Sequence, residues 1–100
     1  MRCKFNFKGR QIELELKEMK GINKFLGLMT YRNDALLFNL NNESIHSLFC
    51  PKFLAIWLDK DNKVVEYEFV KPWRFHVKPR KDFSKLIEIP VDKKYKDILS

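Results

Sequence analysis

The sequence predicts a mainly β fold, a β-rich α+β domain in which a small antiparallel, barrel-like sheet carries one or two short helices. Three observations predict it. Cys3 to Leu16 alternates apolar and polar residues in two runs broken at Gly9, Phe53 to Leu58 is apolar without interruption, and Val65 to Phe69 alternates again after a polar turn. One hundred residues, 45% hydrophobic and 14% aromatic, suit a single domain over 1–100 with a core of its own. The nine phenylalanines are expected to fill much of that core.

Taken in order, Cys3, Phe5 and Phe7 alternate with Lys4, Asn6 and Lys8, and Ile12, Leu14 and Leu16 alternate with Glu13 and Glu15. Both runs have the period of a half-buried strand, and Gly9 supplies the turn of a hairpin. Lys4 and Lys8 would then face Glu13 and Glu15 on the solvent side, each pair contributing a few tenths of a kcal/mol. From Gly21 the period lengthens. Ile22, Phe25, Leu26 and Met29 follow the spacing of one helix face, in a short segment that Gly27 weakens by about 1 kcal/mol.

Ala35 to Leu40 reads as a compact strand closed by Asn41 and Asn42, and Ile45, Leu48 and Phe49 begin another that Pro51 ends. Phe53 to Leu58 has the composition of a strand buried on both faces. Asp59 to Asn62 form the turn, and the return strand alternates Val65, Tyr67 and Phe69 with a solvent face of Glu66 and Glu68. Leu86 to Ile89 make a last strand stopped by Pro90. Asp92 then caps a helical turn in which Val91, Tyr95, Ile98 and Leu99 share one face.

The net charge of +7 collects at the two ends of the chain around a mildly acidic middle. That balance favours polyanionic partners, although a solvated lysine-rich surface gives the same count. Cys3 and Cys50 form no short-spaced pair, which suits a reducing compartment and leaves a bridge between them as an open alternative. Met1 to Arg10 lacks an apolar signal-peptide core, and no segment approaches the roughly 18 apolar residues of a membrane span. The expectation is a cytoplasmic protein with no membrane partner.

With these elements placed, an ordered set of residues carries a resemblance: Gly27, Leu28 and Met29; Leu36, Leu37 and Phe38; Ile45 and His46; Phe53 through Asp61 with Val64 and Val65; Lys71, Pro72, Trp73 and Arg74; and Leu86 through Pro90. In this order the chain resembles the domain of unknown function 192 family, also called uncharacterised protein family 0127, and among its members the small archaeal type with the Lys-Pro-Trp-Arg corner. The resemblance covers most of the chain after residue 22 and implies a β-rich domain with no established activity. It departs from the family in two places. Members typically follow the proline matched by Pro90 with a small residue, a glycine and a longer tail, where this chain has Val91 and Asp92. Many also hold a Trp, Met, Lys, Asn, Thr run where this chain has His46 to Cys50, so a polar site there does not carry over.

Candidate chemistry is sparse. His46 and Cys50 would share one face of a strand and could hold a metal with a third ligand, but only Cys3 and His76 remain as soft donors, and a satisfied histidine beside a packed thiol is the plainer reading. A thiol- or metal-dependent enzyme centred on His46 and Cys50 is therefore the alternative, and no cofactor is expected. Asp59 and Asp61 sit on a turn, where short carboxylates bond the backbone. No phosphate loop, catalytic triad or metalloprotease spacing occurs.

The segment from Lys71 to Lys85 is the better candidate, because Lys71, Arg74, Lys78, Arg80, Lys81 and Lys85 meet only Asp82 and interleave with Trp73, Phe75, His76 and Phe83. Cations for phosphates beside flat rings for bases are what single-strand binding surfaces use. Trp73, Arg74, Lys78, Arg80 and Lys81 are thus the expected ligand-binding residues, for nucleic acid or another polyanion, in a small non-enzymatic binding module. Two simpler readings stand beside it: Trp73 and Phe75 plug the core while the lysines solvate a loop, and the chain is a structural or protein-interaction subunit.

Overall fold

The computed structural model of the chain describes residues 2–19, 34–40, 45, 52–74 and 77–99. Strands β1 (Arg2–Phe7) and β2 (Arg10–Glu15) pair antiparallel, with Phe7 opposite Arg10 and Arg2 opposite Glu15. The turn residues Lys8 and Gly9 have φ of 52° and 79°, the left-handed pair whose twist matches that of the flanking strands in a two-residue hairpin. Alternation holds: Cys3, Phe5, Phe7 and Ile12 are buried, and Arg2 and Lys4 stand in solvent opposite Glu15 and Glu13. Arg2 reaches Glu13 at 2.9 Å and Glu15 at 3.4 Å, and Lys4 reaches Glu13 at 3.9 Å. Lys8 does not join them. The register leaves it in the turn beyond the last cross-strand pair, and its amine lies 5.4 Å from the ring centroids of Phe7 and Tyr67 instead.

Past Leu16 the chain enters β3 (Lys17–Glu18), which pairs parallel with β4 (Leu36–Asn39). Lys17 N–H donates to the Ala35 carbonyl and Met19 N–H to that of Leu37. The remaining strands are β5 (Phe53–Leu58), β6 (Val64–Val70) and β7 (Lys85–Pro90), and the sheet runs β3-β4-β7-β5-β6. Apart from the parallel β3–β4 pair, all neighbours are antiparallel. The Asp59 turn forms as its composition requires: its carboxylate accepts from the N–H groups of Lys63 and Asp61, and those bonds hold its pKa below the ordinary value.

Each side of this sheet has its own apolar layer. Leu37, Leu54, Ile56, Leu58, Ile87 and Ile89 pack under the inner side chains of the β1–β2 hairpin and under Tyr95 and Ile98. Leu36, Phe38, Phe53, Ala55, Trp57 and Leu86 pack on the other side with Met19, Val77 and Phe83. Two-sided cover explains why all six residues of β5 are buried. At the C-terminal end, the Asp92 carboxylate accepts from Lys94 N–H and opens a 3-10 turn (Lys93–Tyr95) that runs into helix α1 (Lys96–Leu99). The Tyr95 hydroxyl accepts from Ala35 N–H at 2.8 Å and ties this turn to the start of β4.

Three further expectations are corrected. The barrel does not close: β1 and β6 meet through the edge-on rings of Phe7 and Tyr67, 4.9 Å apart, and the strands form two separate sheets. The return strand β6 inverts its alternation, because it lies at the sheet edge beyond the hairpin's cover; Tyr67 and Phe69 are 44% and 38% exposed while Glu66 and Glu68 are half-buried. Val91 is exposed rather than sharing the face of Tyr95 and Ile98, since it lies before the cap and outside the turn. Phe83 lies in the core, as expected of the phenylalanines, its ring 6.3 Å from that of Trp57. The helical segment over 22–29 and the strand at Leu48 and Phe49 lie outside the described residues. Ile45 forms an antiparallel bridge with Val77.

Candidate functional site

The basic segment is built on buried anchors. Val77, Pro79 and Phe83 point inward while Lys78, Arg80, Lys81 and Asp82 point out, so each inward side chain pins backbone whose neighbours are turned to solvent. Val77 is held further by paired backbone bonds with Ile45 at 2.8 and 3.0 Å, and Ser84 N–H donates to the Leu58 carbonyl at 2.9 Å. The Lys85 amine turns back to Asn62 Oδ1 at 2.6 Å and is half-buried.

The corner that precedes this loop is exposed. Trp73 is 60% exposed and has φ of +68°. A bulky residue in the left-handed region is uncommon and costs on the order of 1 to 2 kcal/mol relative to the usual backbone wells. The reading of Trp73 as a core plug is thereby set aside. Arg74 forms an ion pair with Glu68 on β6; the guanidinium is exposed and the carboxylate half-buried, so solvent screens the pair, which positions the guanidinium more than it stabilises the fold. All five expected binding residues, Trp73, Arg74, Lys78, Arg80 and Lys81, are exposed. Phe75, His76, His46 and Cys50 lie outside the described residues.

Two features escaped the sequence reading. Glu88 is 4% exposed, in the middle of β7, with Leu36 opposite on one side and Ala55 on the other. Burial pushes its carboxyl up to about 8, so it is largely protonated at neutral pH. Its signal was the lone carboxylate inside the run from Leu86 to Pro90. On the same side of the sheet, the Trp57 indole N–H is buried with no hydrogen-bond acceptor among the described residues. The second feature is the pair of solvent-facing rings on β6, for which the alternating pattern was misleading.

A cleft of about 750 Å³ lies elsewhere, between β2 and the C-terminal turn, with Ile12, Leu16, Tyr95 and Ile98 among its apolar lining and Arg10, Glu13 and Asp97 among its charges. Arg10 closes one side by donating to the Asp97 carbonyl. None of the expected binding residues lines it, and among the described lining residues there is no serine, threonine, cysteine or histidine to act as a nucleophile. Cys3 is a free thiol inside the hairpin layer, and burial raises its pKa, which disfavours the thiolate. Among the described residues no three His, Cys, Asp or Glu side chains converge on a point where a metal could sit, and no helix is long and apolar enough to cross a membrane.

The chain is similar to two archaeal proteins. It is 34% identical over 91 residues to a UPF0127 protein of Pyrococcus furiosus, covering 83% of this chain and 78% of that one. It is 37% identical over 78 residues to a UPF0127 protein of Thermococcus kodakarensis, covering 70% of this chain but about half (49%) of that longer relative. No family model and no solved structure matches. The first likeness spans enough of both chains to decide membership, and it agrees with the ordered residues from Gly27 to Pro90: the chain belongs to the uncharacterised UPF0127 family.

Proposed function

We propose that this chain is a small non-enzymatic binding domain that engages an anionic polymer through Arg74, Lys78, Arg80 and Lys81, with Trp73 as a stacking ring. The observation that carries the reading is the state of Trp73: a large ring held 60% in solvent on a left-handed backbone, beside a loop whose anchors turn its cations outward. Burial of that ring would have favoured a structural clamp. A protein that only needed a tight corner would be better served there by glycine or asparagine. The buried free thiol of Cys3 supports a reducing, cytoplasmic setting.

The test is fluorescence anisotropy with a labelled ten-nucleotide oligouridylate over a range of salt. The expected result is binding at low salt that weakens as salt rises, with a logarithmic slope of about −0.7 per phosphate contacted. Replacing Lys78, Arg80 and Lys81 together by glutamine should flatten that slope, and Trp73→Leu should weaken binding with the slope unchanged. Absence of binding to oligouridylate and to inorganic polyphosphate alike at low salt, or binding indifferent to salt, overturns the reading.

A further inference from the structure

Among the described residues, four large hydrophobic side chains stand in solvent: Tyr67, Phe69, Trp73 and Val91. Three of them are aromatic and fall within one short stretch of chain. The register draws the fourth toward them. Phe69 lies opposite Leu54, and Leu54 lies opposite Ile89 on its other side, so Phe69 shares the sheet face on which the hairpin packs. Val91 N–H donates to the Lys52 carbonyl at 3.3 Å, just beyond the β7–β5 ladder, which sets Val91 beside Lys52 at the end of the sheet where β6 finishes.

Each ring on β6 has its own cation. The Lys8 amine lies 5.4 Å from the Tyr67 centroid, and the Lys52 amine lies 5.8 Å from the Phe69 centroid. Lys8 and Lys52 are both exposed. Tyr67 and Phe69 are two residues apart on a strand, so they emerge on one face roughly 7 Å apart. Two rings on the edge strand thus each have a lysine amine beside them, and Trp73 follows in the chain past the strand's end.

Edge-strand protection does not account for this arrangement, since charges and proline blunt an edge whereas exposed rings do not. A protein partner fits it less well than a nucleic acid does. Protein interfaces are enriched in aromatics but depleted in lysine, and here a lysine accompanies each ring. Flat rings at strand spacing with cations beside them are how sequence-tolerant surfaces take single strands, the rings stacking on bases and the amines meeting phosphates.

We propose that Tyr67 and Phe69 form a base-stacking strip for single-stranded nucleic acid, with Lys8 and Lys52 on the flanking phosphates. The inference rests on the anionic-polymer reading above and adds a second stacking surface, on β6, which commits the polymer to a base-bearing single strand. The probes are the labelled oligouridylate and inorganic polyphosphate, which is anionic but has nothing to stack. Changing Tyr67→Leu and Phe69→Leu together should weaken oligouridylate by about tenfold or more and leave polyphosphate within twofold, while the glutamine variant of the basic loop weakens both.

If the leucine pair weakens both probes equally, or neither, the strip is not a stacking surface. Binding of polyphosphate without oligouridylate leaves the basic loop standing and removes the strip. Failure of both probes removes the two proposals together. A ligand-free dimer in sedimentation that the leucine pair dissolves would assign the strip to a second copy of the chain and overturn the inference. Should the leucine pair fail to fold, ultraviolet crosslinking of oligouridylate to the unmodified protein decides the matter. Adducts on Tyr67 or Phe69 are expected, and adducts confined to Trp73 and the basic loop would refute it.

Discussion

Strands β5 and β6 are hydrogen-bonded neighbours joined by one tight turn, yet they live in different solvents. Every side chain of β5 is buried, whereas β6 buries Val70 alone, half-buries both its glutamates and exposes Tyr67 and Phe69. Composition separates them only in part, β5 carrying no charge and β6 two glutamates, and it does not explain why Tyr67 and Phe69 stand in solvent. Position does. β5 lies between β7 and β6 and is covered on both faces, while β6 is the sheet's edge, where the hairpin's cover runs out at the Phe7–Tyr67 contact. The same residue type is therefore structural in one strand and available to a partner in the next.

The sharpest way to break the comparison is at Trp57, the largest fully buried side chain. Trp57→Ala should cost about 3 to 5 kcal/mol, as large-to-small changes in packed cores do, which is a large share of the roughly 5 to 15 kcal/mol a small domain possesses. Urea unfolding of wild type and variant measures it. A loss under about 1 kcal/mol would mean the two-sided cover of β5 is far looser than described.

Next in size is the effect of Glu88, on the other neighbour of β5. Its folded pKa of about 8 stands above the ordinary carboxyl value of about 4.3. Between those values the unfolded chain has released the proton and the folded chain keeps it. Folding stability should accordingly be greatest below pH 4 to 5 as far as this group is concerned, fall as pH rises toward 8, and level off above it, a change of a few kcal/mol in total. Glu88→Gln, which keeps the shape and cannot ionise, should lose that slope and be the more stable form relative to wild type at pH 8 than at pH 5. Parallel stability profiles for the two proteins would show that the carboxyl is not held protonated.

The smallest effect belongs to β6. Replacing Tyr67 and Phe69 by serine should change unfolding free energy by about 1 kcal/mol each or less, the worth of one ring contact and one exposed cation–π pair. A loss comparable to that of Trp57→Ala would make these rings core in energy even though they are surface in area.

The parts of the fold legible in the sequence are those decided by local pattern. Gly9, the carboxylate of Asp59 and the cap at Asp92 act within a few residues, and the unbroken run from Phe53 to Leu58 can only suit a strand covered on both sides. Barrel closure was not legible, because it depends on whether β1 comes within backbone reach of β6, a property of twist and hairpin length. The burial of β6 was not legible for the same reason. Period two places Tyr67 and Phe69 on the face the hairpin covers, as the register confirms, and nothing in the strand says how far that cover reaches.

The candidate site divides along the same line. The outward set of the basic loop could be read from charge, since long cations seldom bury. That Phe83 is an anchor and Trp73 is not could not be read, because both are single aromatics in irregular chain, and only the surrounding strands choose between them. Glu88 was readable in principle: a carboxylate within a run of buried apolar residues announces an unusual environment. The regular strand pattern of the run around it masks that signal.

The seam between the hairpin and β6 carries one more consequence. No backbone ladder crosses it, so β1 and β2 form one piece held to the sheet by the buried side chains of Cys3, Phe5, Phe7, Ile12 and Leu16 rather than by strand hydrogen bonds. Such a piece opens at a cost below that of global unfolding. The hairpin amides are therefore expected to exchange with solvent faster than those of β5 and β7, and the side chains uncovered in that opening include the Cys3 thiol.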